Sequence, residues 1–249
     1  MSKVLVLHFD VNGTITAVDT TDTHTTHNEN ANVIISKNVY GKLLDDGHWK
    51  CLGDKGTLSY YDYVKQYHCK TLAYQFTNDS SPGHPFKHFL KPITDSLQGK
   101  PFFFQSFQAV IQKYPDAVYI FRTFGLDSNT VVNELKNLHP NVNAQFLTTK
   151  DLVFQDLNKA IIVSKETTSD NTLTAIVIQE DYTHWNNNGR SPMFGKQFVG
   201  HPQLDQIFFD DNDCVNVVDN AGPVIKVNTI SAAIDENYFN SHIKRSFKV

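Results

Sequence analysis

VLVLHFDVNGTIT, residues 4–16, begins with an apolar run that stops at Asp10, and Asn12-Gly13 follows two residues later. An Asn-Gly pair between β-prone stretches is a strong hairpin signal, and on that reading Asp10 is merely a polar residue near a turn. The alternative is a strand that ends at Asp10 in order to present a carboxylate, with Gly13 letting the next loop close tightly over a ligand. Val4 to Phe9 is a continuous apolar run and not an alternating one. That pattern belongs to a parallel strand covered on both faces.

Two later segments share the pattern. AVYIF (117–121) leads into Arg122-Thr123-Phe124-Gly125, and QIFF (206–209) leads into Asp210-Asp211-Asn212-Asp213. VIKVN (224–228) reads as a short strand before a closing helix over SAAIDENYFNSHIKRSF (231–247). SNTVVNELKNL (128–138) starts on a Ser cap, sets Val131, Val132, Leu135 and Leu138 at helical spacing, and passes through Pro140 into AQFLTT (144–149). Strand, helix, strand in this order is a parallel crossover unit. The fold class is α/β, a Rossmann-like parallel sheet with helices on both faces.

Two stretches fall outside the repeating unit. Residues 17–100 are too long for a simple crossover. They are polar at first (TDTHTTHNEN, 21–30) and then aromatic-rich (LSYYDYVKQYHCKTLAYQF, 58–76). They are expected to form an inserted cap on a core made of residues 1–16 and 101–249. Within that core, KAIIVSK (159–165) and LTAIVIQED (173–181) are expected to pair as a β-hairpin insertion across 158–195. His24 and His27 lack further ligands at suitable spacing, so they are read as residues of a solvated loop and not as a metal site.

The bulk properties exclude several classes. With 249 residues, 40% hydrophobic and 19% charged, the chain is an ordinary globular one. A formal charge of −4 carries no nucleic-acid footprint. No apolar stretch is long enough to span a membrane, and MSKVLVLHFD reads as a first strand rather than a signal peptide. Cys51, Cys69 and Cys214 are widely spaced with no C-x-x-C pattern, which suits a reducing compartment and argues against structural zinc. A cytoplasmic protein is expected, with neither nucleic acid nor membrane as partner.

In open α/β sheets, ligands bind beyond the carboxyl ends of the strands. Here those ends are marked by Asp10, Thr123 and Asp210-Asp211. A hairpin would explain Asn12-Gly13 but not acids after QIFF or a hydroxyl after AVYIF. The residues suit phosphoryl transfer through an aspartyl-phosphate, with Asp10 as nucleophile and Asp211 joining it on a divalent cation. Two carboxylates about 4 Å apart repel by roughly 4 kcal/mol at an effective dielectric of 20. Bound Mg²⁺ turns that repulsion into attraction, and hard oxygen ligands suit it. Thr123 and the backbone amides around Gly125 are candidates for holding phosphate oxygens.

FDVNGTI, followed by IFRTFG and IFFDDND, resembles the haloacid dehalogenase superfamily of Mg²⁺-dependent phosphatases. The match covers the core motifs in order but not the insertions. The resemblance implies Asp10 as nucleophile, Thr123 as phosphate-binding hydroxyl, Asp211 as metal-ligating acid with Asp210 in support, and the Asn12 backbone carbonyl as a further metal ligand. It also calls for a Lys. Lys196 is the candidate, with Arg190 and Lys165 as substitutes. The departure is Asn12, because such phosphatases use a second Asp there as general acid and base, and an amide can do neither. General acid–base catalysis contributes about 10²–10⁴-fold, so a slow hydrolase is expected, and Asn12→Asp is expected to raise turnover on alkyl phosphates by roughly 10²-fold or more.

Three readings follow. The leading one is a Mg²⁺-dependent phosphohydrolase acting on a small phosphorylated substrate, with a phosphoprotein as the other candidate partner. The second is a dehalogenase-like or phosphotransfer member, although the dehalogenase branch does without the metal that the acidic pair implies. The third is a non-catalytic binding protein on the same scaffold, which would have no need of Asp10 and Asp211.

Overall fold

β1 (Val4–Asp10) lies in the middle of a six-stranded sheet of order β11 (Val224–Lys226), β9 (Leu204–Asp210), β1, β5 (Val118–Thr123), β7 (Leu173–Gln179) and β6 (Val142–Thr148). A computed structural model of the protein describes residues 3–17, 26–98, 102–149, 154–167 and 171–247. Every pairing in this sheet is parallel. Alternate side chains of β1 enter two separate apolar clusters. Leu7 and Phe9 pack in one, and Val6 packs in the other. A strand buried on both faces has no alternating polar face to show, hence a run whose one polar member before Asp10 is His8.

β1 is followed by α1 (His27–Asn38), the small antiparallel sheet of β2 (Tyr40–Leu43), β3 (Trp49–Cys51) and β4 (Leu58–Ser59), α2 (Tyr60–Tyr67) and α3 (Leu90–Leu97). Ala31, Ile34, Ile35, Val64 and Ile93 from these elements share one continuous cluster with Leu7 and Phe9. α1 begins inside the polar stretch expected to be a solvated loop. Thr26 and Glu29 form a reciprocal capping box, with Glu29 N donating to Thr26 Oγ1 at 3.2 Å and Thr26 N donating to Glu29 Oε2 at 2.7 Å. His27 is therefore the first residue of a helix, and His24 lies outside the described residues.

The chain continues through α4 (Gln105–Lys113), β5 (Val118–Thr123), α5 (Ser128–Leu138), β6 (Val142–Thr148), α6 (Phe154–Thr167) and β7 (Leu173–Gln179). The hairpin expected across 158–195 does not form. KAIIVSK lies in α6, where Leu157 and Ile161, one turn apart, pack on the sheet face that holds Val6, Val118 and Ile120. Burial of one helical face outweighs the β-propensity of Ile161-Ile162-Val163. The other half, β7, enters the main sheet between β5 and β6. Six of its seven residues are buried, which a two-stranded hairpin could not achieve.

After α7 (Tyr182–Asn187), β8 (Lys196–Val199) pairs with β10 (Val215–Val218) in a small parallel sheet. β9 (Leu204–Asp210) and β11 (Val224–Lys226) complete the main sheet. The expected closing helix is two, α8 (Thr229–Ile234) and α9 (Tyr238–Phe247). Asp235 breaks it, and its Oδ1 accepts from Asn237 N at 2.9 Å. Helices cover both sheet faces, with α4, α5 and α9 on one and α6 on the other. Among the described residues, no helix is long and apolar enough to cross a membrane.

Candidate active site

β5 and β9 flank β1 on its two sides. The chain passes from β1 towards β5 and from β9 outward to β11, so the connections diverge at the carboxyl ends of β1 and β9, where such sheets bind ligands. Asp10, Thr123 and Asp210 are the last residues of these three strands. The loop after Asp10 does not turn back into a hairpin. Gly13 takes φ +83°, its N–H donates to Thr16 O at 2.9 Å, and its carbonyl accepts from Thr229 Oγ1 at 2.6 Å. A Cβ at Gly13 would lie 2.3 Å from Asp211 Oδ2, so the glycine gives that carboxylate its room.

Lys196, the first residue of β8, is buried with its ammonium between Asp10 and Asp210. It donates to Asp10 Oδ1, and to Asp210 Oδ2 at 2.7 Å. Asp10 Oδ2 accepts from Thr14 Oγ1 at 3.2 Å, and that hydroxyl accepts from Asp211 N at 3.0 Å. Asp210 is further held by Asn212 N at 2.8 Å and by the Cys214 thiol at 3.3 Å. Carboxylate oxygens of Asp10, Asp210 and Asp211 all lie within 4.8 Å of one another.

Burial raises Asp10 well above the usual carboxylate range. Lys196 opposes the shift, and Asp210 and Asp211 add to it. Burial, with Asp210 beside it, pushes Asp211 up to about 6, against the pull of Lys37 and Lys196. For Lys196 burial favours the neutral amine, but Asp10 and Asp210 outweigh it and raise the pKa. Burial raises the Cys214 thiol, so it is no thiolate. The site thus gathers three acids whose mutual repulsion one lysine only partly relieves. Hard oxygen donors with surplus negative charge fit a divalent cation such as Mg²⁺.

On the other side, Thr123 Oγ1 donates to Asp127 Oδ2 at 3.2 Å and accepts from Gly125 N at 2.9 Å. Asn12 Nδ2 donates to the same Asp127 oxygen at 2.7 Å. Asn12 Oδ1 is buried with no hydrogen-bond partner among the described residues. The Ser128 cap read from the sequence is displaced by one position, since Asp127 is the N-cap residue of α5 and Ser128 the first helical one.

Asp10, Asn12, Thr123, Gly125, Lys196 and Asp211 all line one cleft of about 290 Å³, with Asp210 behind Lys196. Of the substitutes for Lys196, Arg190 lines the cleft and Lys165 lies on α6, its side chain outside the described part. Sequence reasoning missed Asp127, Cys214, Lys37, Lys65 and the aromatic wall of Tyr40, Tyr61 and Trp185. TFGLDS (123–128) reads as a helix start, and nothing in it shows that its acid faces Asn12. No protein-family model, no curated protein and no solved structure matches the chain.

Proposed function

We propose that this protein is a Mg²⁺-dependent phosphohydrolase of the haloacid dehalogenase type, acting on a small phosphorylated substrate through an aspartyl-phosphate. The observation that carries the reading is the junction at the end of β1, where Asp10 and Asp210 share the Lys196 ammonium and Asp211 stands within reach of both. A pure scaffold gains nothing from it, because buried like charges and a buried lysine each cost several kcal/mol unless compensated.

Asp10 attacks phosphorus, the bond to the leaving oxygen breaks, and that oxygen takes its proton from water. Water then attacks phosphorus of the aspartyl-phosphate, releasing inorganic phosphate and restoring the Asp10 carboxylate. Lys196 holds Asp10 in place and offsets charge as the phosphoryl group transfers. Thr123 can turn its hydroxyl from Asp127 to a phosphate oxygen, which frees Gly125 N–H for another. Asp10, Asp211 and the Asn12 backbone carbonyl would hold the ion, which would neutralise charge between the carboxylates and the incoming phosphate.

Asn12 sits on the cleft where an acid would serve both proton transfers, and its amide favours a slow second step and a long-lived phosphoenzyme. Asp10→Asn tests the assignment. Turnover of an aryl phosphate with Mg²⁺ should vanish while the thermal unfolding transition stays cooperative. Turnover near the wild-type value in that variant would remove Asp10 as nucleophile. Calorimetric titration with Mg²⁺ alone should show one site in the wild type, weakened in Asp211→Asn.

A further inference from the structure

Four cationic side chains converge on the cleft above Asp10. Lys37, Lys65 and Arg190 line it together with Lys196, against the carboxylates of Asp10, Asp62 and Asp211. Lys196 is committed to Asp10 and Asp210. Among the described residues, no carboxylate lies within ion-pair distance of Lys37, Lys65 or Arg190.

Solvated lysines at a cleft mouth are common, and two features set this group apart. Lys37 Nζ and Lys65 Nζ sit over one ring, that of Tyr61, at 5.0 and 5.9 Å from its centroid. Tyr61 and Lys65 are one turn apart on α2, and Lys37 is in the last turn of α1. Both ammonium groups are thereby held at Tyr61, where an anion entering the cleft meets them. Arg190 is held more firmly still. Its Nε donates to Asn186 Oδ1 at 2.9 Å, its Nη2 donates to Tyr182 OH at 3.1 Å, and the guanidinium lies 5.8 Å from the Trp185 ring centroid. Its backbone takes φ +56°, a left-handed conformation that costs a non-glycine residue roughly 1–2 kcal/mol. A strained arginine fixed by neutral partners and facing a cleft is pre-organised for an anion from outside.

We propose that the substrate is a phosphomonoester bearing a second anionic group, a carboxylate or a further phosphate. Arg190 and the Lys37/Lys65 pair bind that group while the reacting phosphoryl lies over Asp10. This rests on the phosphohydrolase reading for the place of the first phosphate. The test compares phenyl phosphates that carry a para carboxylate, a para phosphate or a para carboxamide as the neutral control. kcat/KM should be at least tenfold higher for an anionic ester than for the carboxamide, and the first two arms tell carboxylate from phosphate. The ratio should fall towards one in Arg190→Gln and in Lys65→Gln. Turnover of all three esters at equal kcat/KM would overturn the inference and leave the phosphohydrolase reading standing. Calorimetry with the matching phosphonates needs no turnover. A tenfold preference there without hydrolysis of any ester would uphold the second-anion site and remove the phosphohydrolase reading, and equal affinities would overturn the site.

Discussion

The side-chain amide of Asn12 donates to Asp127 Oδ2 over 2.7 Å, and Thr123 Oγ1 donates to the same oxygen over 3.2 Å. The contact ties the loop after β1 to the loop after β5, and it explains the amide. A carboxylate at position 12 would face that of Asp127, and such repulsion is on the order of 4 kcal/mol even at 4 Å and a dielectric of 20. The gain expected from the sequence for Asn12→Asp is therefore revised. The single variant should gain little on alkyl phosphates. Asn12→Asp combined with Asp127→Asn keeps the hydrogen bond with its direction reversed, and the Thr123 hydroxyl can accept where it donated. This double variant should gain roughly 10²-fold on alkyl esters, where leaving-group protonation matters most. Steady-state rates on one alkyl and one aryl phosphate close the double-mutant cycle. A single variant that gains as much as the double would show that Asp127 does not constrain position 12.

Lys196→Met should destabilise the Mg²⁺-free protein at pH 7 by about 3–5 kcal/mol, because Asp10 and Asp210 lose their shared buried cation. Part of the loss should return as pH falls, since Asp10 and Asp211 have raised pKa values and take up protons in the fold. Urea titrations at pH 7 and 5 measure both effects. A loss below about 1 kcal/mol at pH 7 would contradict the electrostatic account.

Gly13→Ala should cost about 1–3 kcal/mol in stability and weaken divalent-ion binding at the same time. The residue holds φ +83°, and a Cβ there meets Asp211 Oδ2 at 2.3 Å. The shift in unfolding midpoint and the Mg²⁺ titration should move together, and unchanged ion affinity would separate the turn from the carboxylate.

His8 supplies an acid-sensitive element. Its Nε2 bonds Gln206 Oε1 at 3.1 Å, while Gln206 Nε2 donates to Val199 O at 3.0 Å. The Gln206 oxygen therefore faces the imidazole, so Nε2 carries the proton. Burial, with Arg122 nearby, lowers the His8 pKa from 6.5 to about 3. The unfolded chain takes up that proton below pH 6.5 and the folded one does not. His8 thus contributes stability that is present above pH 6.5 and is lost as pH falls towards 3. Between pH 7 and 4.5 the loss is about 2–3 kcal/mol. Comparing wild type with His8→Gln across that range isolates it, and parallel curves would refute the assignment.

The strands that carry the site were legible because burial on both faces leaves runs without polar alternation, as in VLVLHF, AVYIF and QIFF. In these only His8 and Gln206 are polar, and they pair with each other. The polar residue that ends each run sits at the carboxyl edge. KAIIVSK was misread because a short β-branched run looks alike in a strand and on the buried side of a helix. The start of α1 was overlooked although Thr26-x-x-Glu29 spells out its capping box. Asp127 could not be found from the sequence. Its meaning lies in a contact with Asn12, 115 residues earlier, and local patterning carries no trace of such a pair.

The loop between Asp10 and Thr16 is fastened by residues from the far end of the chain. Asp211 N donates to Thr14 Oγ1 across 197 positions, and Thr229 Oγ1 donates to Gly13 O across 216. β1 is therefore the first strand of its sheet to be synthesised, and its loop is fastened only after β9 has been added. While the ribosome is still adding β9, the Asp10 carboxylate lacks its neighbouring acids, and β1 exposes the backbone edge that β9 will pair. The gathering of the three acids and the pairing of β1 with β9 arrive together. An added divalent ion would act on that final step, as a reward for finished molecules rather than a guide for growing ones.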